Sequence, residues 1–250
     1  MSIYNTTQLD PDKTFERHVY HRDQFAHYLR WTHILKNARI GMNILDWGSG
    51  TGNLLQVFYR NRYKCEEYLG LEYRANVVRK ANIEFAQVDW ARFEQQDLTV
   101  PGLIKEPLNK KGWDMIVSFE VAEHVGKDKV DQFLKNLYNN MTPGKTTAYL
   151  STPVYDPRVG AAANHIIGGT IGEMTYKDFK ERLERAGFTI EKNYGTFASQ
   201  RDYTHLLNDW QKQMYAKLSE YYSTDLLSNL MAPFFPEQSR NVLWVCKRSK

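Results

Sequence analysis

The chain has 250 residues, 42% of them hydrophobic and 25% charged, with a formal net charge of +4. This is the composition of a soluble globular protein long enough for one sizeable α/β domain. No apolar run approaches the ~20 residues of a membrane span, the start lacks the basic-then-apolar layout of a secretory signal, and the two cysteines, Cys65 and Cys246, stand far apart in no metal spacing, as expected in a reduced, cytoplasmic setting.

Residues 1–13 read as a polar lead-in. From Thr14 to Asn37 the pattern is helical, with Phe25, Tyr28, Leu29, Thr32 and Leu35 on one face. Six basic residues against two acidic ones fall between Lys13 and Arg39, which reads as a solvated helix face. Strand and helix signals then alternate: strand Asn43–Trp47, helix Thr51–Tyr63, strand Tyr68–Glu72, helix Tyr73–Ala81, strand Ile83–Asp89. A loop through Pro101 and Pro107 leads to strand Trp113–Phe119, helix Asp128–Met141, the turn Thr142-Pro143-Gly144 and strand Thr146–Thr152. Pro153–Glu173 reads as a long loop, followed by helix Thr175–Ala186 and strand Phe188–Tyr194. A helical insert with Leu207, Trp210, Met214, Leu218 and Tyr221 at helical spacing precedes the last strand, Asn241–Lys247. The alternation predicts one domain: a seven-stranded, mostly parallel, Rossmann-like sheet with helices on both faces. Its parts are an N-terminal helix (14–40), a core (41–195), the insert (196–239) and the final strand (240–247).

The sharpest motif is Asp46-Trp47-Gly48-Ser49-Gly50-Thr51-Gly52-Asn53, where an apolar strand enters a glycine-rich turn that opens a helix. A dinucleotide fingerprint needs Gly-x-Gly-x-x-Gly, but here the third glycine comes one residue early. No Gly-Lys-Ser/Thr follows, so it is not a P-loop. Two further strands are read as ending in acids, Glu72 and Asp89, and a carboxylate at such an end can accept two hydrogen bonds from a ribose diol.

Asp-x-Gly-x-Gly-x-Gly resembles motif I of class I S-adenosylmethionine-dependent methyltransferases, and the resemblance covers about residues 41–194 and the last strand. It implies that Asp46, Gly48, Gly50, Gly52 and Asn53 embrace the methionine part of S-adenosylmethionine. Glu72 with Tyr73 would hold the ribose, Asp89 with Trp90 the adenine, and Phe119 would lie beside the transferred methyl. An N-terminal helix often forms part of a lid in this family, which singles out Arg30 and Trp31 in a helix that also carries His18, Tyr20, His21, His27, Tyr28 and His33. A nicotinamide-dependent oxidoreductase and a non-catalytic S-adenosylmethionine-binding module are the alternatives from other classes.

The fourth strand runs into Glu120-Val121-Ala122-Glu123-His124-Val125. The Asn/Asp-Pro-Pro-aromatic run of DNA amino-methyltransferases and the Pro-Cys of cytosine-carbon enzymes are both absent from this place. Glu-x-x-Glu-His instead resembles the O-methyltransferases of ubiquinone biosynthesis and the small-RNA 2′-O-methyltransferases. The expectation is therefore transfer to oxygen rather than nitrogen, with His124 and Glu120 catalytic. Mg²⁺ or Mn²⁺ could sit on Glu120, Glu123 and His124, with His165 swinging in when the Gly168-Gly169 loop closes. A small-molecule acceptor is favoured over nucleic acid, for which Tyr203, Trp210, Tyr215, Tyr221 and Tyr222 would be the stacking surface.

Overall fold

The computed structural model describes residues 22–155, 166–167 and 170–248. The chain forms two compact units: Ile34–Lys192 with Trp244–Lys250, and the described part of Met1–His33 with Asn193–Leu243. In chain order the first elements are α1 (Arg22–Asn37), β1 (Asn43–Trp47), α2 (Asn53–Arg60), β2 (Glu67–Glu72), α3 (Ala75–Glu84), β3 (Ala91–Gln95) and β4 (Met115–Phe119). After them come α4 (Ala122–Val125), α5 (Val130–Asn139), β5 (Thr147–Pro153), β6 (Ile166–Ile167), β7 (Thr170–Ile171), α6 (Tyr176–Ala186) and β8 (Thr189–Phe197). The insert contributes α7 (Gln200–Tyr203), α8 (Asp209–Ser219) and α9 (Thr224–Met231), and β9 (Asn241–Lys247) ends the described chain.

Seven strands form one mostly parallel sheet in the order β3-β2-β1-β4-β5-β9-β8, with helices on both sides, as expected of a Rossmann-like fold. β1 and β2 are buried at every position, because a parallel strand covered on both faces has no solvent side. That is also why these strands read as short continuous apolar runs. Strand order reverses between β1 and β4, so the crevice at their carboxyl ends is where such a sheet receives a ligand.

Three readings of the sequence need correction. Ile83–Asp89 is not a strand: α3 runs on to Glu84, Val77, Val78, Ala81 and Phe85 make its buried face, and Ile83 is exposed. The third strand begins only at Ala91, pairing Tyr68 with Ala91 and Glu72 with Gln95. Second, the buried face of α1 comprises Ala26, Arg30, Trp31 and Ile34, whereas Tyr28 and Thr32 are exposed. A count of apolar residues misses this face because Arg30 belongs to it. Third, the long loop before α6 contains the antiparallel pair β6–β7; His165, Gly168 and Gly169 lie outside the described residues, as do His18, Tyr20 and His21.

Within the unit that holds α1, the Arg30 guanidinium donates to Asn241 Oδ1 at 3.3 Å and lies 3.0 Å from His27 Nδ1. The His27 ring stacks on Trp31 with centroids 5.2 Å apart. Burial, with the Arg30 charge adding to it, holds the His27 imidazole down to about 3 from its ordinary 6.5. The unfolded chain therefore binds a proton at His27 between pH 6.5 and about 3 that the folded chain refuses, so this residue subtracts stability progressively as pH falls through that window and is neutral above it. Urea midpoints at pH 7 and pH 4.5 should separate more in the native protein than in His27→Gln, and equal separations would show that the ring is not held neutral.

Candidate functional site

The turn from β1 to α2 is fixed by backbone alone. The amides of Gly48 and Ser49 both donate to the Leu71 carbonyl, at 3.0 and 2.8 Å, and Gly52 N–H donates to Ser49 O at 3.0 Å. Gly48, Gly50 and Gly52 all have positive φ, 99°, 53° and 86°, a region that side chains with a Cβ avoid. The two ends of the turn face different surroundings. A Cβ on Gly50 would meet nothing within 4 Å, so the loop is open there, whereas one on Gly52 would stand 2.7 Å from the Phe85 ring and 2.8 Å from Phe93. Gly52 caps α2 without a side-chain hydrogen bond, and the first turn of α2 carries no acid. Ser49 Oγ is buried with no hydrogen-bond partner among the described residues. The loop thus keeps an uncapped helix N-terminus and an orphaned hydroxyl side by side.

Asp46 is buried at 4% exposure and its Oδ2 accepts from the Tyr68 hydroxyl. Burial raises its carboxyl from 3.8 to about 7, the Tyr68 bond pulls the other way, and the nearby Glu72 charge adds to the rise. Glu72 ends β2, and its Oε1 accepts from both Arg74 N and Arg74 Nε at 2.9 Å. That ties one carboxylate oxygen to the chain itself. Tyr73 is exposed, its carbonyl accepting from Gln95 Nε2 at 3.2 Å, and Asn53 is the exposed first residue of α2.

Asp89 and Trp90 do not join this group. They precede β3 rather than end it, which puts them at the opposite edge of the sheet, and the Asp89 side chain is 82% exposed. The carboxylate at the proper end is Asp97. Gln96 N–H donates to Glu72 O at 2.9 Å, so Asp97 follows directly beside the second strand's exit. Its Oδ1 accepts from Thr99 N at 2.9 Å and Thr99 Oγ1 at 2.7 Å, and those bonds, backbone first, hold its carboxyl below the ordinary range. The sequence signal was Gln96-Asp97-Leu98 after Phe93; it was obscured because Phe93 is the only buried residue of β3.

Beyond β4, Phe119 is half-buried and pairs with Ser151 of β5. Glu120 is one of three described non-glycine residues with positive φ (57°), a strained conformation typical of functional turns. Ser151 Oγ donates to Glu120 Oε1 at 2.7 Å, and Thr152 Oγ1 donates to Glu123 Oε2 at 3.1 Å. Glu123 is buried at 1% exposure, whereas the His124 side chain is 59% exposed, its Nε2 3.9 Å from Glu123 Oε1. The expectation that Glu120, Glu123 and His124 share a helical face fails, because Glu120 lies outside α4 with a left-handed backbone. Successive residues of a strand leave opposite faces, so Ser151 and Thr152 hold the two carboxylates apart. Among the described residues no three His, Cys, Asp or Glu side chains are grouped to hold a metal; His165, the expected fourth ligand of Mg²⁺ or Mn²⁺, lies outside them.

A family model described as a methyltransferase domain matches residues 20–193. No curated protein matches the chain in sequence. Among solved structures, a chain from the complex of the Haloferax volcanii Trm112 methyltransferase activator with a methyltransferase is 15% identical, with TM-score 0.60, covering 97% of this chain and 96% of that one. An S-adenosylmethionine-dependent methyltransferase from Mesorhizobium loti is 18% identical (TM-score 0.56, 91% and 100% covered). The magnesium protoporphyrin IX methyltransferase of Synechocystis PCC 6803, solved with bound S-adenosylhomocysteine, is 15% identical (TM-score 0.57, 99% and 91% covered). At these identities the likeness is one of fold.

The loop's seat generates a direct test. A Cβ on Gly70, opposite Asp46 in the β1–β2 ladder, would overlap the Phe93 ring and stand 2.8 Å from Ser49 Oγ. Gly70→Ala should lower stability by about 1–3 kcal/mol through overpacking, read as the urea midpoint. An unchanged midpoint would show that Phe93 does not wall the loop.

Proposed function

The chain belongs to the methyltransferase-domain family and is an S-adenosylmethionine-dependent enzyme; from that premise we propose that it methylates an oxygen acceptor, a hydroxyl or carboxyl on a small molecule, at the carboxyl ends of β1 and β4. The nicotinamide and non-catalytic readings fall with family membership. When bound, S-adenosylmethionine supplies an electrophilic methyl on its sulfonium. The observation that best supports its seat is the uncapped N-terminus of α2 next to the orphaned Ser49 hydroxyl, a polar cradle that suits the donor's carboxylate. Asp46 accepts from the donor's ammonium, the second oxygen of Glu72 takes the ribose diol, and Asp97, in the place first assigned to Asp89, takes the adenine amino group.

At the other side of the crevice Phe119 packs beside the methyl. Transfer is an in-line displacement, so holding the acceptor oxygen in line is the main task. His124, exposed at the exit of β4, takes the acceptor's proton as the new bond forms. Glu120, fixed by Ser151, orients the acceptor hydroxyl toward that imidazole. The sequence at this exit supports oxygen as acceptor, since it holds a Glu-His segment and lacks the residues used for base nitrogens and carbons.

Calorimetric titration with S-adenosylmethionine tests the donor site. Glu72→Gln should weaken binding by about 1–3 kcal/mol, the range for charge-assisted hydrogen bonds; unchanged affinity would remove Glu72 from the site. The Asp46 carboxylate must be ionised to accept from an ammonium, and its folded value near 7 sets the sign: affinity should climb about fivefold from pH 6 to pH 7.5, below the range where the donor's α-ammonium itself loses its proton, and the climb should vanish in Asp46→Asn.

The acceptor is tested by incubating the enzyme and labelled donor with cell extract split into low-mass and macromolecular fractions. Label should pass to low-mass material and fall about 10²–10⁴-fold in His124→Ala, with donor binding kept. Label confined to polymer would overturn the small-molecule reading, and an undiminished variant would remove His124 as the base.

A further inference from the structure

At the end of the sheet opposite the crevice, the exit of α2 and the entry to β3 enclose an open groove of about 500 Å³ lined by Tyr59, Arg60, Arg62, Tyr63, Lys64 and Trp90. Three cations and three aromatic rings line it, the combination that grips a single strand of nucleic acid through its phosphates and the faces of its bases. β1 and β2 separate groove from crevice by five and six residues, roughly 15–20 Å at the rise of a strand. The groove is therefore a separate place from the donor site.

A bland explanation exists for basic residues here, since cations compensate the negative C-terminal end of a helix. The geometry shows that α2 does not use them as caps. Its last carbonyls are taken by its own chain: Asn61 Nδ2 donates to Val57 O at 2.8 Å, Arg62 N–H to Tyr59 O at 3.1 Å and Tyr63 N–H to Phe58 O at 3.0 Å. The last two bonds form a Schellman motif, and the Tyr63 ring closes it edge-on against Phe58 at 6.3 Å. The residue after the cap in that motif must adopt a left-handed backbone, which is why glycine dominates there. This chain places Arg62 there, at φ 59°. An arginine held where glycine would be relaxed is explained by a use for its side chain. The acid facing the cations is Asp89, whose Oδ1 lies 3.9 Å from Lys64 Nζ with both side chains well exposed (82% and 65%), a pairing too solvated to occupy the lysine. Among the described residues the guanidiniums of Arg60 and Arg62 have neither an ion-pair nor a hydrogen-bond partner.

We propose that this groove is a binding site for single-stranded nucleic acid, with Arg60, Arg62 and Lys64 on consecutive phosphates and Trp90 and Tyr59 stacked on bases. The site is independent of the acceptor methylated in the crevice, and it is read by binding alone.

The test is fluorescence anisotropy of the full chain with a labelled twelve-nucleotide oligothymidylate and oligouridylate, between 50 and 200 mM salt. Three phosphate contacts predict a slope of log K on log salt of about −2 for a single strand, a loss of roughly 10- to 20-fold across that range. Arg62→Gly is the deciding variant, because glycine relieves the left-handed backbone. It should raise the melting temperature while weakening the oligonucleotide several-fold and flattening the salt slope, whereas a merely structural arginine would leave binding unchanged. Trp90→Ala should weaken binding about tenfold, as for loss of one stacked base, and abolish the quenching of tryptophan fluorescence by the strand. S-adenosylmethionine affinity should hold in both variants, which separates failure here from failure of the donor site. Absence of binding at 50 mM salt, equal affinity for a duplex whose bases are already stacked, binding untouched by both substitutions, or variant-sensitive binding to phosphatidylserine vesicles in place of the strand would each overturn the proposal.

Discussion

Two amides sharing one acceptor set the geometry of the catalytic end of this molecule. By donating together to the Leu71 carbonyl, Gly48 and Ser49 fasten the exit of β1 to β2 before the chain has turned. The turn must then pass between Val121, which a Cβ on Gly48 would strike, and the Phe85 and Phe93 rings, which close on Gly52. Only a backbone that can take positive φ three times within five residues fits that passage. Once it is seated, Asp46 and Glu72 stand at the exits of adjacent strands, and α2 starts directly after the turn. The acids, the loop and the helix are consequences of one constraint.

The exit of β4 is built on the opposite principle. The sharp turn is carried by a glutamate, Glu120, and is held by hydrogen bonds rather than by freedom from a Cβ. Glu120 N–H reaches Ser151 O at 2.9 Å while Ser151 Oγ reaches back to the Glu120 carboxylate at 2.7 Å. A two-way clasp of this kind holds a strained residue in one orientation, as a positioning role requires. Glu123, one turn further on, is drawn into the core by Thr152. The Glu-x-x-Glu spacing, which on a helix would bring two carboxylates together, here sends them apart because the helix starts after the first of them.

What was legible in the sequence follows from burial. β1, β2, β4 and β5 were read to within about two residues because strands covered on both faces are runs of apolar residues with abrupt ends. The acids at their exits, Asp46 and Glu72, came with them. β3 carries Ala91, Arg92, Phe93, Glu94 and Gln95, one buried side chain among five, so the apolar end of α3 reads as the third strand and Asp89, not Asp97, reads as the acid that ends it. α1 and the insert are helical as expected, but their buried faces differ from the reading for a related reason. Arg30 is more buried than Ala26 and Trp31 beside it, and in the insert Tyr203 and Tyr215 are core, their hydroxyls 3.2 Å apart beside Leu207 and Leu227, while Trp210, Tyr221 and Tyr222 are exposed. Aromatic spacing finds a helix but does not tell which of its rings are inside.

The two ends of α2 show why one sheet can offer two unlike surfaces. At Gly52 the helix starts with no side-chain cap and no acid in its first turn, so the partial positive charge of the N-terminus is directed at the crevice. At Arg60 the carbonyls are closed by the chain's own amides and by Asn61, so the partial negative charge is already met by short-range bonds. The cations beyond that point, Arg60, Arg62 and Lys64, therefore add to the field outside the protein instead of being spent on the helix. In a parallel α/β sheet every such helix begins near the carboxyl ends of the strands and finishes near their amino ends. The fold supplies the anion-seeking amides at one edge; the side chains that follow the helix decide whether the other edge is also electropositive, and at α2 they make it so.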